Sequence, residues 1–597
     1  MNALTLLIVA LLVFTLAYRY YAAFIMAKVL AFDPKRTTPA YEFSNGYDYK
    51  PTNRWVLFGH HFAAIAGAGP LVGPVLAAQF GWAPGFLWLL IGSVLAGAVH
   101  DMVLLFASVR YGGRSLTEIA RGEVGPLAGG ATAAAVLFII VTALAGLSMV
   151  VVNALSESAW GTFSIAATVP IALFVGLYME RLRPGKIKEA SIIGVILVLA
   201  AVTAGEPLAR SAYAHWFIYS KHSLTVILAL YGLAASILPV WLLLAPRDYL
   251  SSYMKIGTIL LLALGIVWVR PDMASPAFTS FIHGGGPIIP GRVWPYVCIT
   301  IACGAISGFH SLIGSGTTPK MIMSEGDVRF IGYGAMVTES FVSIMALIAA
   351  STLAPGDYFA INVAPAAFAK LGIAPVHLAE MGAAVGEELA GRTGGAVSFA
   401  VGMAQIFASL PGMKNLLAYW YHFAIMFEAL FILTTIDAGT RVARYLLQEV
   451  LGKAYAPFGR NDWWPGVILT SALICAAWGS MVYVGNVTTI WPMFGVANQL
   501  LAAIALAVGT TFILKRAAEP AYALITFLPF LFMLATTLTA GVMNIFGNYL
   551  PRGDAQGYIN VGLTVVMIAL VLVITATSGR SWAAALRARK TAGAGAS

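Results

Sequence analysis

Between Gly67 and Pro74 the chain places three glycines and two prolines in eight residues, shortly after the pair His60-His61. The stretch lies inside an apolar run of membrane-spanning length, 56–80. Proline removes a backbone donor, so the helix is expected to unwind there, and in lipid the freed groups must face protein, ligand or ion. A half-helix N-terminus can hold a carboxylate, and freed carbonyls can hold a cation. Gly67, Gly69 and Pro70 are therefore substrate-binding candidates, and the Ala66 carbonyl is an ion-coupling candidate. The competing reading is a proline-kinked packing helix with glycine contact faces. The spacing is not the G-x-G-x-x-G of a dinucleotide site.

A second interruption contains Ser236 and Pro239, five apolar runs further on. An odd number of crossings reverses direction, so two such broken helices would be related by an inverted repeat, the arrangement that marks a secondary-transporter site. Ser236 and Pro239 join the substrate candidates. A third patch, Ser307 to Lys320, closes the ninth run. The hydroxyls of Ser315, Thr317 and Thr318 could complete a small-cation site with the Ala66 carbonyl, since hard cations prefer oxygen. They could equally bond helix carbonyls or cap the helix end.

Ionisable residues inside apolar runs add a further signal, because each costs about 2.5–3.5 kcal/mol at a helix centre on insertion scales. His100 and Asp101, with His61, are the candidates for proton coupling, structural pairing being the competing reading of His100 and Asp101. Glu339 and Glu428 read as structural, and Asp437 with Arg441, at i and i+4, reads as a helix ion pair. Asn498-Gln499 reads as a source of interhelical hydrogen bonds.

The elements that must position these residues are membrane helices. Of 597 residues 60% are hydrophobic and 10% charged, against about 25% charged in soluble domains. That composition excludes a water-soluble enzyme, a disordered chain and a nucleic-acid-binding domain. Apolar runs number about sixteen, within a range of fifteen to eighteen, so the expected class is an all-α polytopic membrane protein embedded in the lipid bilayer. The first run, 3–30, reads as a retained span and not a signal peptide. Residues 579–597 read as a disordered basic tail.

The formal charge of +10 follows from Lys and Arg between the runs. Counted on alternate sides as far as Leu353, they divide fifteen to four, with Arg247 and Lys255 in the larger set. The larger set belongs in the cytoplasm, which places the N-terminus outside and the C-terminus inside. Past Leu353 the alternation fails, so either Asp357 to Gly391 hides an extra or re-entrant segment, or one of the two following runs does not cross. Cys298, Cys303 and Cys475 fit apolar packing better than a disulfide framework or zinc site. No G-x-x-x-x-G-K-[ST] loop, H-E-x-x-H or Asp-rich cluster is present, so no catalytic residues, metal site or cofactor are expected beyond a coupling ion, H⁺ or Na⁺.

Several longer motifs resemble the carbon starvation protein A family of bacterial inner-membrane transporters. They are Asn45 to Asn53, His60-His61-Phe62 with Ala66 to Pro70, Gly97 to Asp101, Leu238 to Leu242 with Pro246 to Leu250, Ser307 to Ser311 with Gly316 to Lys320, and Gly402 to Phe407. The likeness runs from about residue 20 to 550. It implies a five-plus-five inverted repeat, leucine-transporter-like, with flanking helices. It divides the chain into 1–55, a first repeat 56–220, a second 221–412, flanking helices 413–578 and the tail. It also gives the hydroxyls near Thr317 a sodium-site-like position. The implied function is a symporter importing a small carboxylate such as pyruvate, or short peptides, under carbon starvation. A polytopic membrane enzyme acting on a lipid-like substrate, a passive channel and a membrane nutrient sensor are the rival classes.

Overall fold

The computed structural model describes residues 1–597 except 46–48, 68, 184–185, 239–242, 461–462 and 595–597. Among the described residues the regular structure is helical, and the β pairing consists of two isolated bridges, Asn2 with Asp272 and Thr52 with Ile322. A bilayer favours this solution, because a helix satisfies its own backbone groups.

Eleven helices among the described residues are long and apolar enough to cross a membrane, or twelve if Arg54–Ile65 and Gly69–Phe80, bent by 49°, form one span. The described residues thus show fewer single spanning helices than the sixteen apolar runs. Of the remaining apolar runs, two fold as shorter helices, Lys221–Ile237 and Ala396–Ala408, one forms the apolar part Met254–Val269 of the helix Leu244–Val269, and 293–314 folds in three pieces. Composition counts apolar length but does not see where the backbone breaks. The 13-residue helix Ala396–Ala408 is about 20 Å long, short of a hydrocarbon core of about 30 Å. Residues 355–391, where charge alternation fails, fold as three short helices, Pro355–Asn362, Pro365–Phe368 and Leu378–Val385. The Asp357 carboxylate ties them together by accepting from the backbone N–H groups of Val376 at 2.7 Å and His377 at 3.0 Å.

The tail also departs from expectation. The last helix, Ala555–Ala594, runs through the segment read as disordered. Its Arg589 guanidinium donates to the carbonyls of Ala517 at 2.5 Å and Ala518 at 3.3 Å. Those carbonyls lie just past the C-terminus of Val487–Arg516, where a cation offsets the helix dipole.

Burial separates an inner set from a periphery. The apolar stretch of Val487–Arg516 is buried along its whole length, and Trp82–Arg110, Pro126–Leu155 and Arg329–Ser351 are nearly so. Ala3–Val29, Lys188–Ala209 and Ala555–Thr591 expose most of their apolar surface, as lipid-facing helices do.

The helices that matter below are α1 (Arg54–Ile65), α2 (Gly69–Ala77), α3 (Ala98–Arg110), α4 (Lys221–Ile237), α5 (Leu244–Val269), α6 (Val293–Thr300), α7 (Ala302–Ala305), α8 (Gly308–Gly314), α9 (Gly334–Ser351), α10 (Leu417–Gly452) and α11 (Val487–Arg516). The broken pair α1/α2 packs against the broken run α6/α7/α8 and against α9, while α8 wedges between α3 and α11. Gly308 permits that wedge, since a Cβ there would come 2.5 Å from that of Leu501.

Candidate functional site

The helix breaks where the glycines and prolines fall. α1 ends at Ile65, and Ala66 leaves the helix with φ −74° and ψ 77°. α2 restarts at Gly69, with Pro70 in its first turn, where the missing N–H costs nothing. Gly69 is required by contact: a Cβ would lie 2.7 Å from the Cys303 Cβ on α7. At Gly67 a Cβ would meet the Thr435 hydroxyl of α10 at 3.1 Å. Into the break reaches Lys255 of α5, 2% exposed. Its ammonium donates to the carbonyls of Ala63 at 3.0 Å and Ala66 at 3.1 Å, and lies 4.1 Å from the centre of the Phe431 ring.

Beside the break runs a buried ionisable chain. His100 Nδ1 lies 2.7 Å from Asp101 Oδ1. The other oxygen of Asp101, Oδ2, is 2.8 Å from His310 Nδ1, and His310 Nε2 is 3.1 Å from Glu339 Oε2. All four side chains are at most 3% exposed. The Nδ1 contact is a hydrogen bond and the Nε2 contact an ion-pair approach, so His310 has a carboxyl on either side, and the ring or either acid can hold a proton. One proton thus has three possible seats within a few ångströms. His100 Nε2, His61 Nε2, His310 Nε2 and both Glu339 oxygens have no hydrogen-bond partner among the described residues, which leaves the chain acceptor and donor capacity unused. Glu339 stands on α9, which packs against both α1 and α2 of the break.

The expected site residues divide between this centre and elsewhere. Ala66, Gly67, Gly69 and Pro70 line the break; His61, His100 and Asp101 stand beside it. Thr318 hydrogen-bonds His61 Nδ1 through its hydroxyl at 2.8 Å. Ser315 accepts from the Leu116 N–H at 2.9 Å and donates to the Ser311 carbonyl at 2.6 Å, while Thr317 is exposed. None of these three hydroxyls is seen on the Ala66 carbonyl, where the Lys255 ammonium sits instead. Ser236 pairs with Ser471 at 3.0 Å, against a different helix, and Pro239 lies outside the described residues. A polar cavity of about 370 Å³ opens beside Ser315, lined also by Arg114, Arg121, Lys320, Glu449 and Lys453.

A second buried ionic cluster surrounds the other interruption. Asp437 on α10 accepts from the Tyr231 hydroxyl at 2.7 Å and from Arg247 at 3.4 Å. Arg441 is not its partner; the guanidinium turns to the carbonyls of Ala235 at 2.7 Å and Leu238 at 2.5 Å, at the C-terminus of α4. A helix end with freed carbonyls outcompetes the i, i+4 carboxylate.

Three residues of the centre were not read as functional from sequence. His310 lay in a motif but carried no role, Glu339 read as structural, and Lys255 was counted, like Arg247, among cytoplasmic loop charges. Both cations are buried, Arg247 completely. The available signal was position: Lys255 stands mid-helix, followed by an apolar stretch to Val269. Asn498 and Gln499 do bridge helices as read. Asn498 Oδ1 accepts from the Phe309 N–H at 2.9 Å and the Ser307 hydroxyl at 3.3 Å, and Gln499 donates to the Cys298 carbonyl.

The family described as carbon starvation protein CstA matches residues 2–540. Among its relatives, the peptide transporter CstA of Bacillus subtilis is 49% identical over 584 residues, covering 98% of this chain and 97% of its own. The peptide transporter CstA of Escherichia coli is 46% identical, covering 91% and 81%. The pyruvate/proton symporter BtsT of Escherichia coli is 44% identical over 590 residues, covering 91% and 82%. Of solved structures, a manganese transporter of Eremococcus coleocola is similar over 88% of this chain and 94% of its own, with a TM-score of 0.41 at 12% identity. The match along nearly the whole chain, at close to half identity, makes this protein a member of the carbon starvation protein CstA family.

Proposed function

We propose that this chain is a proton-coupled symporter that imports a small carboxylate such as pyruvate, or short peptides. Transport, and not enzymatic turnover, is what the names of its relatives support. The observation that carries proton coupling is the chain His100–Asp101–His310–Glu339, buried against a broken membrane helix. Ionisable groups at such depth persist where they bind or move charge. One proton added to the chain changes the charge beside the break, so the cost of seating an anion there depends on protonation.

The substrate seat in this reading is the start of α2, where Gly69 and Pro70 begin a nine-residue helix inside the protein. Free N–H groups and the positive end of the dipole favour a carboxylate, the group that pyruvate and peptides share. Gly67 supplies close approach. The cavity beside Ser315, with four bases among its walls, serves as an exit vestibule for an anion.

The wider setting is part of the same reading. The two halves, 56–220 and 221–412, form a five-plus-five inverted repeat, supported by helix breaks at Ala66 and after α4. The protein sits in the bacterial inner membrane with the N-terminus outside, and serves uptake during carbon starvation. The short Ala396–Ala408 helix, by not crossing, would bring Arg441, Arg444 and Lys453 to the cytoplasmic side, where their density belongs. Removing Arg247 and Lys255 from the loop count still leaves thirteen to four in favour of that orientation.

The test is uptake of labelled pyruvate, and of di- and tripeptides, into proteoliposomes holding only this protein, with pH and sodium gradients imposed separately. Accumulation above equilibrium under the pH gradient alone supports the reading. Accumulation under the sodium gradient alone, or downhill flux only, contradicts it.

A further inference from the structure

The carbonyls freed at the end of α1 are a cation cradle with an occupant that belongs to the chain. Ala63 and Ala66 point their oxygens at one spot, in the last turn of a helix whose C-terminus carries negative partial charge. Hard cations take such oxygens readily. The Lys255 ammonium is there instead, 3.0 and 3.1 Å from the two carbonyls, its far side covered by the Phe431 ring at 4.1 Å. An ammonium fits the role because it offers three donors on a stem long enough to cross from α5.

We propose that Lys255 is a tethered cation: it fills the carbonyl cradle of the broken helix and thereby takes the place of a sodium ion. Two consequences follow. The break is held together without any dissolved cation, so the protein has no need of sodium. Coupling then falls to the His100–Asp101–His310–Glu339 chain, a step that rests on the transport reading, whereas the occupancy of the cradle does not. Shortening the side chain at position 255 should vacate the cradle and create a sodium site where none existed.

The experiment reads thermal unfolding of the purified full-length protein in sodium chloride against choline chloride of equal strength. The wild type is expected to unfold at the same temperature in both. Lys255→Ala should unfold earlier in choline and recover by about 2–4 °C in sodium, as a bound ion stabilises the folded state. Lys255→Met, which fills the space without a charge, should show no sodium response. A sodium-specific rise in the wild type equal to that of Lys255→Ala overturns the proposal, as does a folded Lys255→Ala that ignores sodium. Should Lys255→Ala fail to fold in either salt, Lys255→Thr, which adds an oxygen, is read by the same criterion. In proteoliposomes the wild type should take up substrate under a pH gradient with sodium absent; a strict sodium requirement overturns the proposal. Absence of any flux alongside the expected thermal response would defeat the transport reading and leave the tethered cation standing.

Discussion

Among the described residues, each of the two helix interruptions carries a buried ionic cluster, and the two are built from different chemistry. At the α1/α2 break stand two histidines and two carboxylates in series, with ring nitrogens and both Glu339 oxygens lacking a hydrogen-bond partner. Around Asp437 stand arginines, a tyrosine and helix carbonyls. A guanidinium stays charged at any pH a cell meets, whereas imidazole and carboxylate exchange protons readily. The first cluster sets four titratable groups side by side, so a proton can shift within it; in the second the Asp437 carboxylate stands alone among groups that keep their protons. Both clusters are largely buried, so residue type is what separates a group that can work in a transport cycle from one that fastens helices.

That contrast can be broken by substitution. The largest effect is expected for Asp101→Asn, which removes the acid shared by His100 and His310. Gradient-driven uptake should fall at least about a hundredfold, in line with a buried charge pair losing one partner, while exchange of labelled for unlabelled substrate persists. Glu339→Gln keeps the shape but cannot accept a proton, and should lower driven uptake about tenfold, about 1.4 kcal/mol of barrier. Comparable uptake in both variants and wild type would remove the first cluster from the mechanism.

Gly69→Leu tests the break by contact, because its side chain must displace Cys303. Uptake per folded molecule should drop about tenfold or more, and Cys303→Ala in the same chain should restore part of it, as contacting sites couple by about 0.5–3 kcal/mol. Arg247→Gln addresses the second cluster. It should lower the unfolding temperature and the yield of folded protein, with uptake per folded molecule unchanged within about twofold; stranding Asp437 costs about 3–5 kcal/mol. The smallest effect is expected for Ser236→Ala, which loses one hydrogen bond to Ser471, worth about 1 kcal/mol or less of stability, and leaves uptake intact.

The sequence made the first break and half of the ionisable chain legible. Gly67, Gly69 and Pro70 announce themselves because lipid tolerates an unwound backbone only for a reason. His100 and Asp101 do so because charge in an apolar run is costly. Their partners were harder to see, since His310 and Glu339 reach Asp101 across more than two hundred residues of chain, and only packing brings α8 and α9 to α3. Lys255 was hidden by a counting rule that treats a cation at the edge of an apolar run as a loop anchor. Ser236 was misplaced for the converse reason: a pattern that matches the first break says nothing about which neighbour it faces. The number of spans went astray because 293–314 and 396–408 are apolar enough in composition but broken or short in the backbone.

The most direct test of proton coupling through the first cluster is a pH-sensitive dye sealed inside proteoliposomes, read as external pyruvate or peptide is added without any imposed gradient. Wild type should acidify the lumen as substrate enters, and Asp101→Asn should exchange substrate with no acidification. Substrate entry by the wild type with no change in lumenal pH, or acidification by Asp101→Asn at the wild-type rate, would contradict the account.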